Sequence, residues 1–204
     1  VIEQRSCRPG SQGGRLFPPE TTLPRSLFVS SPYQHPPSDP HIATLVARLN
    51  AGLEALPAEL ERHREALEKG ATLGSLRGIP DEQHQALYQV ACRLCDEDQF
   101  QHALPLALQL IAHQPHDSRF AFLCASCLQR TGMEPDAALL YAICLERDST
   151  HAAAAYRLGE CLEAMRYVRE AIEAYTKAVD ICRGQFHYAG LQDMAQARLD
   201  QLVF

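Results

Sequence analysis

Cys92 and Cys95, followed by Cys124 and Cys127, form two Cys-x-x-Cys pairs. Four such thiols make a zinc site when they converge at about 2.3 Å on one ion. Here both pairs fall inside segments of helical pattern, with 28 residues between them and no glycine knuckle beside either. A free cysteine in such a place more commonly serves as a small buried apolar residue. The nine histidines include no His-Glu-x-x-His and no evident partner for a nucleophile, and no glycine-rich phosphate loop occurs. The chemistry-bearing residues therefore point away from an enzyme, a metal or a cofactor, and toward recognition by regularly placed side chains.

That regularity is strongest in Tyr88, Phe122 and Tyr156, which stand 34 residues apart. The same interval relates Ala103, Ala137 and Ala171; Ala107, Tyr141 and Tyr175; and Leu94, Leu128 and Leu162. The pairs Val90-Ala91, Cys124-Ala125 and Leu158-Gly159 keep the same phase. A period of 34 with a large residue, Leu-Gly or its equivalent, then Ala-x3-aromatic, then Pro is the tetratricopeptide (TPR) signature. Small residues let the two helices of a unit approach, and large ones fill the space between units. Pro115 closes the first unit, whereas Ser149 and Arg183 stand at that position in the others.

The expected fold is all-α: a TPR solenoid of three helix-turn-helix repeats with N-terminal helices and a C-terminal capping helix. The helix pairs are expected near 83–96 with 99–112, 118–131 with 135–148, and 152–165 with 168–182. Pro105 falls inside a second helix, so a kink or a late start is expected there. Residues 185–204, with Met194, Ala197, Leu199 and Leu202, read as the cap a solenoid needs at its end.

Before the repeats, residues 1–40 hold eight of the thirteen prolines and read as disordered. From His41 the pattern changes. Ile42, Leu45, Val46, Leu49, Leu53 and Leu56 make one apolar helical stripe, to be covered by the first repeat or by a second copy of the chain. A more charged helix, 58–69, is expected after Pro57, and Gly70–Pro80 reads as a linker, with Asp81 capping the first repeat. The domain reading is thus 1–40, 41–79, 80–184 and 185–204.

The formal charge of −6 argues against nucleic acid as a partner. No apolar run approaches the ~18 residues of a membrane span, so no direct membrane binding is expected. The eight cysteines are scattered over helices, as expected of reduced thiols in a cytoplasm.

In a TPR stack the first helix of each pair lines a concave face. Its positions here are Tyr88, Cys92, Cys95; Phe122, Ser126, Gln129; and Tyr156, Glu160, Glu163. Three aromatics at equivalent positions would offer a row of flat apolar surfaces to an extended peptide, with Arg119 and Arg130 placed to hold its backbone or an acidic residue. The alternative is that these rings are core.

The chain also resembles a known family, the class II chaperones of bacterial type III secretion, over roughly residues 65–182. The likeness lies in the run from Gly70 to Glu82 leading into Ala86-Leu87-Tyr88, in the junction His116-Asp117-Ser118-Arg119-Phe120, and in Glu160-Cys161-Leu162. It implies a cytoplasmic, non-enzymatic chaperone whose groove holds an extended segment of a hydrophobic translocator protein, typically Pro-x-Leu-x-x-Pro. It places the family's groove aromatics on Tyr88, Phe100 and Tyr141, and it implies a homodimer through residues 41–69. Residues 1–40 have no counterpart in that pattern, and 41–64 match it poorly. The alternative function is a general TPR scaffold or a regulator of secretion.

Overall fold

The computed structural model describes residues 39–203, and these contain helices and no strand. The disorder expected of the proline-rich start falls on residues outside this range. Asp39 and Pro40, counted with that start by sequence, instead open a helix. Asp39 accepts a hydrogen bond from the His41 amide at 2.8 Å, and Pro40 takes the first helical position, where its missing N–H costs nothing.

This first helix, α1 (Pro40–Arg62), runs straight through Pro57 and does not divide there. The expected charged helix is reduced to α2 (Arg64–Glu68), with the break at His63. Val46, Leu53 and Leu56 are buried, and Ile42, Leu45 and Leu49 pack on the main core. The surface that receives them belongs to the second helix of the first repeat, α5 (Phe100–His113). The apolar stripe of α1 is therefore covered within one chain.

The stretch expected to be a linker is a docked element. Thr72 and Ser75 form a reciprocal capping box, at 3.1 and 3.0 Å, around a one-turn helix, α3 (Leu73–Leu76). Leu73 is buried with Leu53 and Leu56, beside Leu108 of α5. At Gly74 a side chain would meet the His113 carbonyl and the His84 ring at 3.0 Å, so only glycine lets the turn lie this close.

The repeats follow as α4 (Asp81–Asp96) with α5, α6 (Ser118–Arg130) with α7 (Glu134–Arg147), and α8 (Ala152–Ala164) with α9 (Val168–Cys182). Asp81 is not the cap of α4; Pro80 holds that position and Asp81 lies in the first turn, where its charge favours the helix dipole. α5 starts at Phe100 with Pro105 inside it, so the late start expected from that proline does not occur. Ala103, Ala137, Ala171, Tyr141, Tyr175, Leu110, Cys144 and Ala178 are all fully buried, which makes the 34-residue period of the sequence the period of the core.

The turn inside each unit repeats as well. Gln99, Met133 and Tyr167 donate their amides to Leu94, Leu128 and Leu162 at 2.7, 2.9 and 2.9 Å. The residues just before them, Asp98, Gly132 and Arg166, take φ of 57, 80 and 68°. This is a left-handed helix end closed by a six-to-one hydrogen bond, formed three times.

The last helix, α10 (Ala189–Val203), caps α9 through Leu191, Ala195, Leu199 and Leu202. Of the apolar set expected from sequence, Leu199 and Leu202 pack on the core, whereas Met194 and Ala197 face outward.

Candidate peptide-binding face

The first helices α4, α6 and α8 stand side by side, and α10 continues the row. Polar rungs tie each to the next. Arg119 donates to Gln85 at 3.5 Å, Gln129 to Glu160 at 3.1 Å, and Arg198 pairs with Glu163 at 3.7 Å. These rungs lie on the face named by the sequence reading, and its residues divide into two chemically different halves.

The first half is apolar and aromatic. Tyr88 is half-buried, with its ring against Phe120 (centroids 5.6 Å apart) and the Arg119 guanidinium 5.6 Å above it. Burial, and then its hydrogen bond to Cys92, push the Tyr88 hydroxyl up to about 12, so it is a neutral phenol at any physiological pH. Cys92 and Cys95 are half-buried beside it. Phe122 is half-buried between Tyr141 at 5.6 Å and the His151 ring, stacked at 4.6 Å.

The second half is polar. Tyr156 is only 5% exposed, packed on Tyr175 with centroids 5.5 Å apart. The Arg198 guanidinium of α10 lies beside its hydroxyl. The row of three exposed aromatics expected from sequence is thus two, Tyr88 and Phe122, and the third ring is core. Glu160 accepts from Arg157 at 2.8 Å as well as from Gln129, and Glu163 accepts from the Tyr175 hydroxyl at 2.8 Å. Each carboxylate on this half has a cationic partner.

The other aromatics placed by family resemblance divide similarly. Tyr141 is fully buried, and its ring cannot line a groove. Its hydroxyl reaches the face from below, donating to Gln129 at 2.9 Å and lying 3.1 Å from Ser126. Phe100 is half-buried at the start of α5, under the Arg130 guanidinium at 4.8 Å. The two arginines expected to grip a peptide already hold acids. Arg119 reaches Asp117 at 2.7 Å and Arg130 reaches Asp98 at 3.4 Å.

His151 and Arg198 were missed by sequence reasoning. A signal for His151 existed: it lies one period after Asp117, and both cap a first helix, Asp117 accepting from the Arg119 amide at 2.9 Å and His151 from the Ala154 amide at 3.2 Å. Arg198 gave none, because its place depends on the phase of α10. Of the CxxC thiols, Cys95 and Cys127 approach to 3.6 Å, and among the described residues no three His, Cys, Asp or Glu are grouped to hold a metal. No described helix is long and apolar enough to cross a membrane.

No protein-family model and no curated protein matches the chain in sequence. Solved structures do match in fold. A type III secretion complex from Aeromonas hydrophila superposes with a TM-score of 0.65 at 20% identity, over 72% of this chain and 95% of that one. The translocator chaperone SycD of Yersinia enterocolitica gives 0.60 at 20% identity, over 65% of this chain and 98% of its own. The fold is that of the type III secretion translocator chaperones. PcrH, known from Pseudomonas aeruginosa, has the same fold in complex with the chaperone-binding region of PopD (TM-score 0.60, 17% identity, 62% and 95% of the two chains). SycD has likewise been solved with a peptide of the translocator YopD. In this translocator-chaperone fold the face built by α4, α6 and α8 belongs to the part of the chain that carries the 34-residue repeat.

Proposed function

We propose that this chain is a type III secretion chaperone that holds an extended segment of a hydrophobic translocator across the face of α4, α6 and α8, keeping it soluble for export in the bacterial cytoplasm. The observation that carries this reading is the pair of half-buried rings, Tyr88 and Phe122, one repeat apart on a fold whose solved examples SycD and PcrH hold translocator segments. An extended chain alternates its side chains, so apolar residues at intervals can meet successive rings while its backbone stays near polar side chains. A translocator with long apolar segments aggregates when free, and a short segment held by several modest contacts is protected without being folded. Phe100, with Cys92, Cys95 and Arg119, borders the same half of the face. Tyr141 and Tyr156 act beneath it as support. Nothing in this activity calls for a cofactor.

Self-association through residues 41–69 belongs to the same proposal, and SycD has been solved as an alternative dimer. Because Val46, Leu53 and Leu56 are already buried against the first repeat, a second copy would meet the outer side of α1 and α2.

The test is co-purification from the native organism, with bound proteins identified by mass, using Tyr88→Ala combined with Phe122→Ala. Tyr156 is left intact because its loss would open the core. The double variant is expected to keep the helical circular dichroism of the parent and to bind the client at least tenfold more weakly. Binding at the parental affinity would overturn the assignment of the face, and recovery of soluble regulators in place of apolar clients would favour a scaffold.

A further inference from the structure

We propose that Cys95 and Cys127 are a peroxide-responsive thiol pair that forms a reducible disulfide, stapling the first repeat to the second. Their sulfurs lie 3.6 Å apart, bridging α4 and α6, two helices also joined by the Arg119–Gln85 rung and the Tyr88–Phe120 ring contact. Closing to a bond of about 2.05 Å requires a movement of about 1.5 Å. Both residues sit in the last turn of their helices, shortly before the left-handed positions Asp98 and Gly132.

The two thiols differ in a way that assigns their roles. Cys95 is half-buried and reaches the open face, while Cys127 is fully buried behind it. A hydrogen bond from the Cys127 thiol holds Cys95 below the ordinary thiol range, and the same bond, with burial, pushes Cys127 far up. Cys95 is thus the thiol that peroxide meets first, and Cys127 the one that resolves it. The other two members of the CxxC pairs are poorer candidates. Burial raises Cys92, which already accepts the Tyr88 hydroxyl, and Cys124 is fully buried and raised further.

The chemistry balances with hydrogen peroxide as the oxidant. The Cys95 thiolate attacks one peroxide oxygen; a sulfur–oxygen bond forms, the oxygen–oxygen bond breaks, and hydroxide leaves to take up a proton as water. The Cys127 sulfur, giving up its proton, then attacks the Cys95 sulfur. The sulfur–sulfur bond forms, the sulfur–oxygen bond breaks, and a second water departs. Two thiols and one peroxide yield one disulfide and two waters.

The experiment treats the full chain with a small excess of hydrogen peroxide, blocks remaining thiols with an alkylating agent under denaturing conditions, and maps tryptic peptides by mass without reduction. Cleavage after Arg93 separates Cys92 from Cys95, so the two are told apart directly. The expected product is a bridge between peptide 94–119, which carries Cys95, and peptide 120–130, which carries both Cys124 and Cys127; fragmentation between those two residues places the bond on Cys127, and dithiothreitol reverses it, with a higher melting temperature in the oxidised form. Cys124→Ser should leave the bridge intact. Cys127→Ser should abolish it and leave a sulfenic acid on Cys95 that a 1,3-diketone traps. If Cys127→Ser fails to fold, the fragment ions of peptide 120–130 from the parent chain, which separate Cys124 from Cys127, decide alone. A Cys92–Cys95 bridge, a bridge to Cys124 or Cys7, or Cys95 oxidised while Cys127 remains fully alkylated would overturn the proposal. Because the readout is chemical, it stands or falls independently of which client the face binds.

Discussion

Gly159 shows how much of this fold rests on single side chains. A Cβ at that position would meet three ring atoms of Tyr175 at 2.6, 2.7 and 2.9 Å. The ring cannot retreat, because Tyr175 is fully buried and its hydroxyl donates to Glu163 at 2.8 Å. Gly159→Ala is therefore expected to cost about 1–3 kcal/mol by overpacking, read as a lower urea midpoint at unchanged slope. A loss under about 0.5 kcal/mol would mean that the ring shifts freely. Positions of this kind were legible in the sequence, since Gly159 and Tyr175 stand where the 34-residue pattern demands one small and one large residue. The exposure of Tyr156 was not. Nothing in its own repeat says that Arg198 returns from α10 to cover its hydroxyl, and a phase of three aromatics reads the same whether the third is open or closed.

At the scale of elements, the turn between the paired helices is one mould used three times with three different residues. Gly132 suits its φ of 80°, whereas Arg166 holds a φ of 68° with a side chain attached. A left-handed conformation costs a non-glycine residue roughly 1–2 kcal/mol, part of which glycine returns as unfolded-state entropy. Arg166→Gly is expected to stabilise the protein by about 0.5–1 kcal/mol, a rise of about 1–4 °C in melting temperature. Gly132→Ala should lose about 1 kcal/mol at the equivalent place. Thermal melts of the two variants side by side check both signs, and a shared direction would refute the common mould. The six repeat helices were readable to within two residues because periodicity and caps agree there. α3 was not, since a four-residue helix has no periodicity to show and is held by a Thr72–Ser75 box and the burial of Leu73. Pro57 misled for a related reason: a lost amide and a ring within a long helix are outweighed when the residues on both sides of it are packed.

Across the whole molecule, the N-terminal helices are joined to the repeats by a polar cluster that runs from a partly exposed ion pair to buried histidines. Glu59 of α1 pairs with Arg77, just past α3, and the Arg77 guanidinium donates to Nε2 of His113 at 2.7 Å, where the Gln109 amide also converges. Nε2 therefore accepts, the proton sits on Nδ1, and that atom donates to Nε2 of His84 at 3.2 Å; Asp81 stands 3.8 Å from the far nitrogen of His84. Burial first, and then the Arg77 charge, lower His113 to about 4. The unfolded chain takes up this proton near pH 6.5 and the folded chain does so near 4, so the stability associated with neutral His113 is complete above 6.5 and is lost as pH falls toward 4. The loss amounts to about 3 kcal/mol across that window. Urea midpoints measured from pH 7 to 4 are expected to fall accordingly, and His113→Gln, though less stable at neutral pH, should flatten that fall. An equally steep fall in the variant would place the titration elsewhere.

The division of the face of α4, α6 and α8 into an aromatic half and a charge-paired half gives it a direction. A uniform row of rings would let an extended occupant slide by one repeat, or lie in either orientation, at little cost. Tyr88 and Phe122 at one end, with Glu160, Glu163, Arg157 and Arg198 at the other, remove that degeneracy. An occupant with its apolar residues ahead of its polar ones matches the surface in one register, and the same composition written backwards does not. If this face holds a client as proposed, it would read the order of the client's residues, with no need for any single deep pocket.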